Sequence, residues 1–227
     1  MVKNIPNTVT CLNLLSGCLA TVAAFTGNIT LAAGFICLAA LFDFLDGMLA
    51  RLLGAYSPLG KELDSLADII SFGMAPATMV YTHLAGDGST PLAPCTAGTL
   101  LPCTAFLIAV FSGLRLAKFN IDTRQTSSFL GLPVPANALF WTGLCHYALQ
   151  HPLHPGIVIA LVLLFSGLLV CELPMFSLKF KNLSLRENAL RYLLIAAAVV
   201  GVALYGLSAL AAVIGLYILL SLLFWRP

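Results

Sequence analysis

The chain is a succession of apolar stretches, most of them close to the length that crosses a bilayer. A spanning helix needs about 20 predominantly apolar residues. Eight stretches qualify, near 9–27, 29–52, 62–82, 98–117, 134–150, 154–173, 190–206 and 208–225. The expected fold class is therefore all-α: a polytopic membrane helix bundle of about eight transmembrane helices, in one domain over 1–227. The core of that domain is expected over 5–173, with 190–206 and 208–225 as extra helices. Composition agrees, because only 9% of residues are charged, against about 25% in a soluble domain. A net charge of +2 without a basic run gives nucleic acid nothing to bind.

The basic residues orient the bundle. Connections after odd-numbered spans (near 28, 83–97, 151–153 and 207) contain no Lys or Arg. All eleven basic residues fall at the other face: Lys3, Arg51, Lys61, Arg115, Lys118, Arg124, Lys179, Lys181, Arg186, Arg191 and Arg226. The positive-inside rule then places both termini in the cytoplasm. This pattern requires the first apolar stretch to stay as a span rather than be removed as a signal peptide. Small residues in the last two spans (Ala196, Ala197, Ala198, Gly201, Gly206 and Gly215) would permit close helix contact. The seven cysteines are scattered, with no C-x-x-C pair and no Cys/His cluster, so zinc is not expected. Cys95 and Cys103 lie at one membrane face and are a candidate pair.

Against this oily background, five of the nine acidic residues fall between positions 43 and 68, and four of the five are aspartates. Asp43 and Asp46 are three apart, and Asp64 and Asp68 are four apart, so each pair shares one helix face. Gly54 and Ser57-Pro58 mark a turn between two helical segments, which would present four carboxylates to one space. Four negative charges in a low-dielectric setting repel, and oxygen-only ligands suit hard divalent ions. Ionisable groups at membrane depth are costly and mark function. Gly47 and Ala50 continue the Asp43/Asp46 face and leave room for a bulky ligand, while Gly60 allows close backbone approach one turn before Asp64. Asn7, Thr10 and Asn13 put three polar groups at the cytoplasmic start of the first span, and helix capping accounts for only one of them.

The string D-x2-D-G-x2-A-R-x8-G-x3-D-x3-D, from Asp43 to Asp68, resembles the signature of the CDP-alcohol phosphotransferase family at every fixed position. The resemblance implies transfer of a phosphatidyl-type group from a CDP-activated lipid to an alcohol, with release of CMP. It implies that Asp43, Asp46, Asp64 and Asp68 bind divalent metal ions, two of them, Mg2+ or Mn2+, with Ca2+ as a further option. Asp68 resembles the general base on the acceptor hydroxyl. Gly47, Ala50 and Arg51, with Gly60, Asn7 and Thr10, are expected around the CDP moiety. A homodimer in the cell membrane, with its site facing the cytoplasm at the ends of spans 2 and 3, is also implied.

Ser71-Phe72-Gly73-Met74-Ala75-Pro76-Ala77 resembles a run of the phosphatidylserine synthase branch of that family. So do Ile5–Thr10 with Asn13, Arg115–Asn120 and Phe129–Ala136. This points to CDP-diacylglycerol and L-serine as substrates. A serine carboxylate needs a cationic partner, for which Arg is best suited. Arg115, Lys118 and Arg124 are the candidates, with Ser71 and Asn120 as further donors. Glycerol 3-phosphate or inositol phosphate would be alternative acceptors. Outside the enzymes stand a divalent-cation transporter and a non-catalytic lipid-binding scaffold. The carboxylates lie toward helix ends rather than at mid-bilayer, against the transporter.

Overall fold

The computed structural model of the chain describes residues 4–86, 100–121, 129–176 and 188–224, with Phe129 and Phe224 described in backbone only. The described residues are helical apart from turns and one pair of two-residue strands. Helix α1 (Ile5–Phe25) carries Pro6 in its first turn, where the missing N–H costs no hydrogen bond. It ends at Gly27, whose φ of +78° only glycine adopts freely. Asn28 then caps helix α2 (Ile29–Leu52), accepting the Leu31 N–H at 3.0 Å. The three-residue connection makes α1 and α2 antiparallel neighbours with extensive contact. Six of their fourteen buried residues are Ala (Ala20, Ala23, Ala24, Ala32, Ala33, Ala39), so the axes can approach closely.

A sharp turn follows, with Gly54 at φ +57°. Ser57 caps helix α3 (Pro58–Asp68) by accepting the Gly60 N–H at 3.0 Å, and Pro58 occupies the first helical position. The expected span at 62–82 is a longer helical run over 58–85, and it is not uniform. After Asp68 it widens into a π turn (Ile69–Met74) before helix α4 (Ala75–Ala85) resumes. The Ala75 N–H reaches back to the Ile70 carbonyl, the five-residue step of a π turn. Pro76, with no N–H to donate, sits in the first turn of α4, immediately beyond that widening. Small residues bring the π turn against its neighbours. A Cβ at Gly17 of α1 would fall 2.6 Å from Ser71 Cα. One at Gly73 would lie 3.3 Å from Ser112 Cβ and 3.5 Å from Ala109 Cα.

A short 3-10 turn (Pro102–Phe106) leads into helix α5 (Leu107–Ile121), which carries Ala109 and Ser112. The span expected near 98–117 continues as helix to Ile121. Strands β1 (Phe129–Leu130) and β2 (Pro174–Met175) pair antiparallel, an element that apolar run length does not reveal. Between them run helices α6 (Val134–Ala148) and α7 (Pro155–Val170), clasped by Phe140 and Phe165, whose rings stack at 3.8 Å. Helix α8 (Ala189–Tyr205), a 3-10 turn (Gly206–Ser208) and helix α9 (Ala209–Phe224) complete the chain. Gly206 has φ +61°, and a Cβ at Gly201 would lie 3.8 Å from Val213 Cγ2. A straight helix would hold residues twelve apart about 18 Å apart, so α8 and α9 fold back as a hairpin. The hairpin sits on α6 through Gly143, where a Cβ would lie 3.0 Å from Leu210 Cβ, and through His146 Nδ1, 2.9 Å from Ser208 Oγ.

Among the described residues, four stretches are long and apolar enough to cross a membrane: Ile5–Phe25, Ile29–Leu52, Pro102–Ile121 and Ala189–Leu223. The last includes the α8–α9 turn. α7 is equally apolar but has 16 residues. Large apolar side chains such as Leu15, Val22, Phe44, Val199 and Leu204 point outward, the arrangement of a membrane-embedded helical bundle rather than of a water-soluble one. The candidate Cys95–Cys103 pairing lies partly outside the described residues.

Candidate active site

The ends of α2 and α3 converge where the four aspartates lie. Asp43, Asp64 and Asp68 each offer a carboxylate oxygen, and these atoms all lie within 4.8 Å of one another. Asp46, one turn along α2, is 6% exposed and stands beside this trio rather than in it, with Thr10 against it. No ion pair joins these carboxylates to Arg51 or Lys61. Lys61 instead donates from Nζ to the Asn120 carbonyl at 3.1 Å. Asp46 Oδ2 and Asp64 Oδ1 are buried atoms with no hydrogen-bond partner. Buried carboxylate oxygens left without donors, clustered and not neutralised by Arg51 or Lys61, are a donor set that suits hard divalent cations. The residues present therefore fit metal ions, with Asp43, Asp64 and Asp68 as the converging group and Asp46 adjoining.

A cavity of about 480 Å³ opens beside the cluster, between the start of α1, the end of α2 and the start of α3. Asn7, Thr10, Asp43, Asp46, Gly47, Ala50, Arg51, Gly60 and Asp64, all singled out from the sequence, line it. A Cβ at Gly47 would meet nothing within 4 Å, so the glycine leaves open room there. Gly60 does a different job from Gly47. A Cβ there would lie 2.9 Å from Asn7 Oδ1, so its absence lets α3 press against α1. Tyr56, Ser57 and Lys61 also line the cavity. Sequence reading did not assign them to it. Tyr56 and Ser57 signal only by their place in the turn that links the two halves of the aspartate motif, and Lys61 by its place in the first turn of α3.

Ser71, Arg115, Lys118 and Asn120, expected near the acceptor, do not line this cavity. Ser71 is fully buried and donates to the Asn13 carbonyl at 3.0 Å, so its hydroxyl serves the α1 contact and does not reach the cavity. Asn120 donates to Ser65 Oγ at 2.9 Å and ties the end of α5 to α3. Lys118 is exposed and its Nζ lies 3.5 Å from the Val170 carbonyl, at the C-terminal end of α7, where a cation is favourable. Arg115 is 7% exposed, lies deep on α5 with its guanidinium 5.5 Å from the centre of the Phe119 ring, and is within electrostatic reach of Asp68 and Tyr217. Arg124 lies outside the described residues.

Asp68 itself is 8% exposed, at the junction of α3 and the π turn. The Asn13 side chain of α1 donates to its Oδ1 at 3.4 Å. The sequence marked Asn13 as one of three polar groups on α1; the partner, 55 residues away, is visible only in the fold.

A sequence profile described as CDP-alcohol phosphatidyltransferase matches residues 3–176. A protein of Bacillus subtilis (strain 168) named CDP-diacylglycerol–serine O-phosphatidyltransferase is 34% identical over 151 residues, 66% of this chain and 77% of that protein. A Methanocaldococcus jannaschii protein of the same name is 36% identical over 137 residues, 60% of this chain and 58% of that one. An archaetidylserine synthase of Methanothermobacter thermautotrophicus is 34% identical over 137 residues, and the match spans 54% of its length. The signature at the converging helix ends and the profile match over most of the chain together place this protein in the CDP-alcohol phosphatidyltransferase family, a family of phosphotransferases.

Proposed function

We propose that the protein transfers a phosphatidyl group from CDP-diacylglycerol to the hydroxyl of L-serine, forming phosphatidylserine and releasing CMP. The carrying observation is the meeting of Asp43, Asp64 and Asp68 within 4.8 Å beside a cavity sized for a nucleotide head. The serine-named relatives support the choice of acceptor. Asp43, Asp46, Asp64 and Asp68 would hold divalent ions, two of them Mg2+ or Mn2+. Such ions, when bound, grip the diphosphate and offset the negative charge that develops on the departing CMP.

The chain's own residues do the rest. Gly47 and Ala50 give the nucleotide room against α2. Arg51 and Lys61, exposed at the cavity wall, supply positive charge for phosphate oxygens. Asp68 accepts the proton of the serine hydroxyl, the serine oxygen bonds to the lipid-linked phosphorus, and the bond from that phosphorus to the CMP oxygen breaks. Arg115 holds the serine carboxylate through its bidentate fork. Burial of Asp68 and Arg115 keeps competing water from the reacting oxygen. We further infer one domain with its core over 5–173 and both termini in the cytoplasm. Eight crossings, a cytoplasmic-facing site and a homodimer in the cell membrane complete this reading. Acyl chains would lie between the helices, with the CDP head at the inner rim.

Purified protein incubated with CDP-diacylglycerol and a panel of alcohols tests this. CMP release that needs both serine and a divalent ion is the expected result. Release with glycerol 3-phosphate or inositol phosphate alone would reassign the acceptor. Cation flux into sealed vesicles without CMP release would replace the enzyme with a transporter.

A further inference from the structure

Three carboxylates whose oxygens lie within 4.8 Å repel one another when ionised, so a donor that fixes the direction of one of them shapes the whole cluster. A lysine or arginine there would pair with a carboxylate and fill the site. Asn13 supplies a donor without a charge. It is fully buried on α1, and its Nδ2 donates to Asp68 Oδ1 at 3.4 Å. The opposite amide orientation would set Oδ1 against a carboxylate oxygen, two acceptors face to face, so chemistry selects the one observed. Asn13 is itself anchored. Its main-chain carbonyl accepts the Ser71 hydroxyl at 3.0 Å, and Gly17, one turn on, lets α1 lie against the Ser71 backbone. Ser71 stands three residues beyond Asp68, in the π turn. The backbone that follows Asp68 is thus held by the helix whose side chain orients its carboxylate.

We propose that Asn13 is a positioning residue: it fixes the Asp68 carboxylate in the aspartate cluster, with Ser71 and Gly17 setting its place. This rests on the proposed function, in which Asp68 serves the ions and the acceptor hydroxyl. A positioning amide of this kind typically changes metal affinity or activity by about 10–100-fold when removed.

The test uses the full-length protein in nanodiscs, as wild type, Asn13→Leu and Asn13→Ala. Leu keeps the branching of Asn without the donor but is larger, and Ala removes the amide without adding bulk should Leu overpack the site. Mn2+ binding is read by electron paramagnetic resonance without substrate, and kcat and KM are read separately. Removing the amide is expected to weaken Mn2+ binding by about 10-fold and lower kcat by about 10–100-fold. At saturating Mn2+, KM for CDP-diacylglycerol should stay within about twofold, because the CDP cavity is untouched. A folded variant, judged by circular dichroism, with wild-type Mn2+ affinity and kcat overturns the positioning role. Loss of CDP-diacylglycerol affinity in step with kcat also overturns it, in favour of general packing. If the wild type binds Mn2+ through Asn13-dependent geometry but shows no serine-dependent CMP release, the positioning role stands and the proposed reaction fails.

Discussion

Replacing Asp64 by Asn should make the metal-free protein more stable while ending its response to metal. Asp64 shares the cluster with Asp43 and Asp68, and the oxygens lie within 4.8 Å. At that distance and an effective dielectric of ~20, each pair of charges repels by about 3.5 kcal/mol. Asp64 takes part in two of the three pairs, so its neutralisation removes at most ~7 kcal/mol of repulsion. Asp43 and Asp64 are only partly buried, so water and side-chain movement already relieve much of this. A net gain of about 1–2 kcal/mol is the working figure. In a chain of this length, 1 kcal/mol moves the melting temperature by about 2–4 °C, so Asp64→Asn should melt roughly 2–8 °C higher in EDTA. A cation at 100 times its Kd stabilises the wild type by about 2.7 kcal/mol. Saturating Mn2+ should therefore raise the wild-type melting temperature by about 5–11 °C and the variant's by far less. The assay is thermal melting of the full chain in nanodiscs, with EDTA and across a Mn2+ titration. A variant that melts lower in EDTA, or that keeps the full Mn2+ shift, would refute a repulsive cluster built for cations.

Other substitutions separate the roles within the site. Asp68→Asn should lower turnover by about 10²–10⁴, the scale of general-base catalysis, while CDP binding measured by calorimetry is largely kept; normal turnover would remove Asp68 as the base. Arg115→Ala should raise KM for serine by about 10–100-fold, the worth of charged hydrogen bonds, with a much smaller effect on CDP-diacylglycerol. An equal rise for both substrates would make Arg115 a packing residue. Gly47→Leu projects into the cavity, since a Cβ there meets nothing within 4 Å. It should leave the melting temperature unchanged and raise KM for CDP-diacylglycerol by about 10-fold; an unchanged KM would place the nucleotide elsewhere.

Much of this protein is readable without coordinates because its strongest signals are local. A run of apolar residues near bilayer length imposes a helix wherever it occurs, and Asp43/Asp46 and Asp64/Asp68 share helix faces by spacing alone. Gly54, Ser57 and Pro58 announce the turn between them through their own backbone preferences. Those features bring the aspartates to one end of two adjacent helices before any packing is known. Asp43, Asp46, Gly47, Ala50, Arg51, Gly60 and Asp64 of the cavity follow from the same spacing.

What stayed hidden depends on contacts between segments far apart in the chain. The chain alone leaves open whether Ser71, Lys118 and Asn120 turn toward the site. In the fold they bond instead to Asn13, the end of α7 and Ser65. The same holds for the Asn13–Asp68 bond, which spans 55 residues, and for the separation of Asp46 from the other three carboxylates. The π turn after Asp68 goes unannounced too, although Pro76 hints at it. Helical periodicity states which face a side chain occupies, but not what lies opposite that face. That depends on how closely small residues such as Gly17, Gly73 and Gly143 let the helices meet, which is a property of the packed bundle.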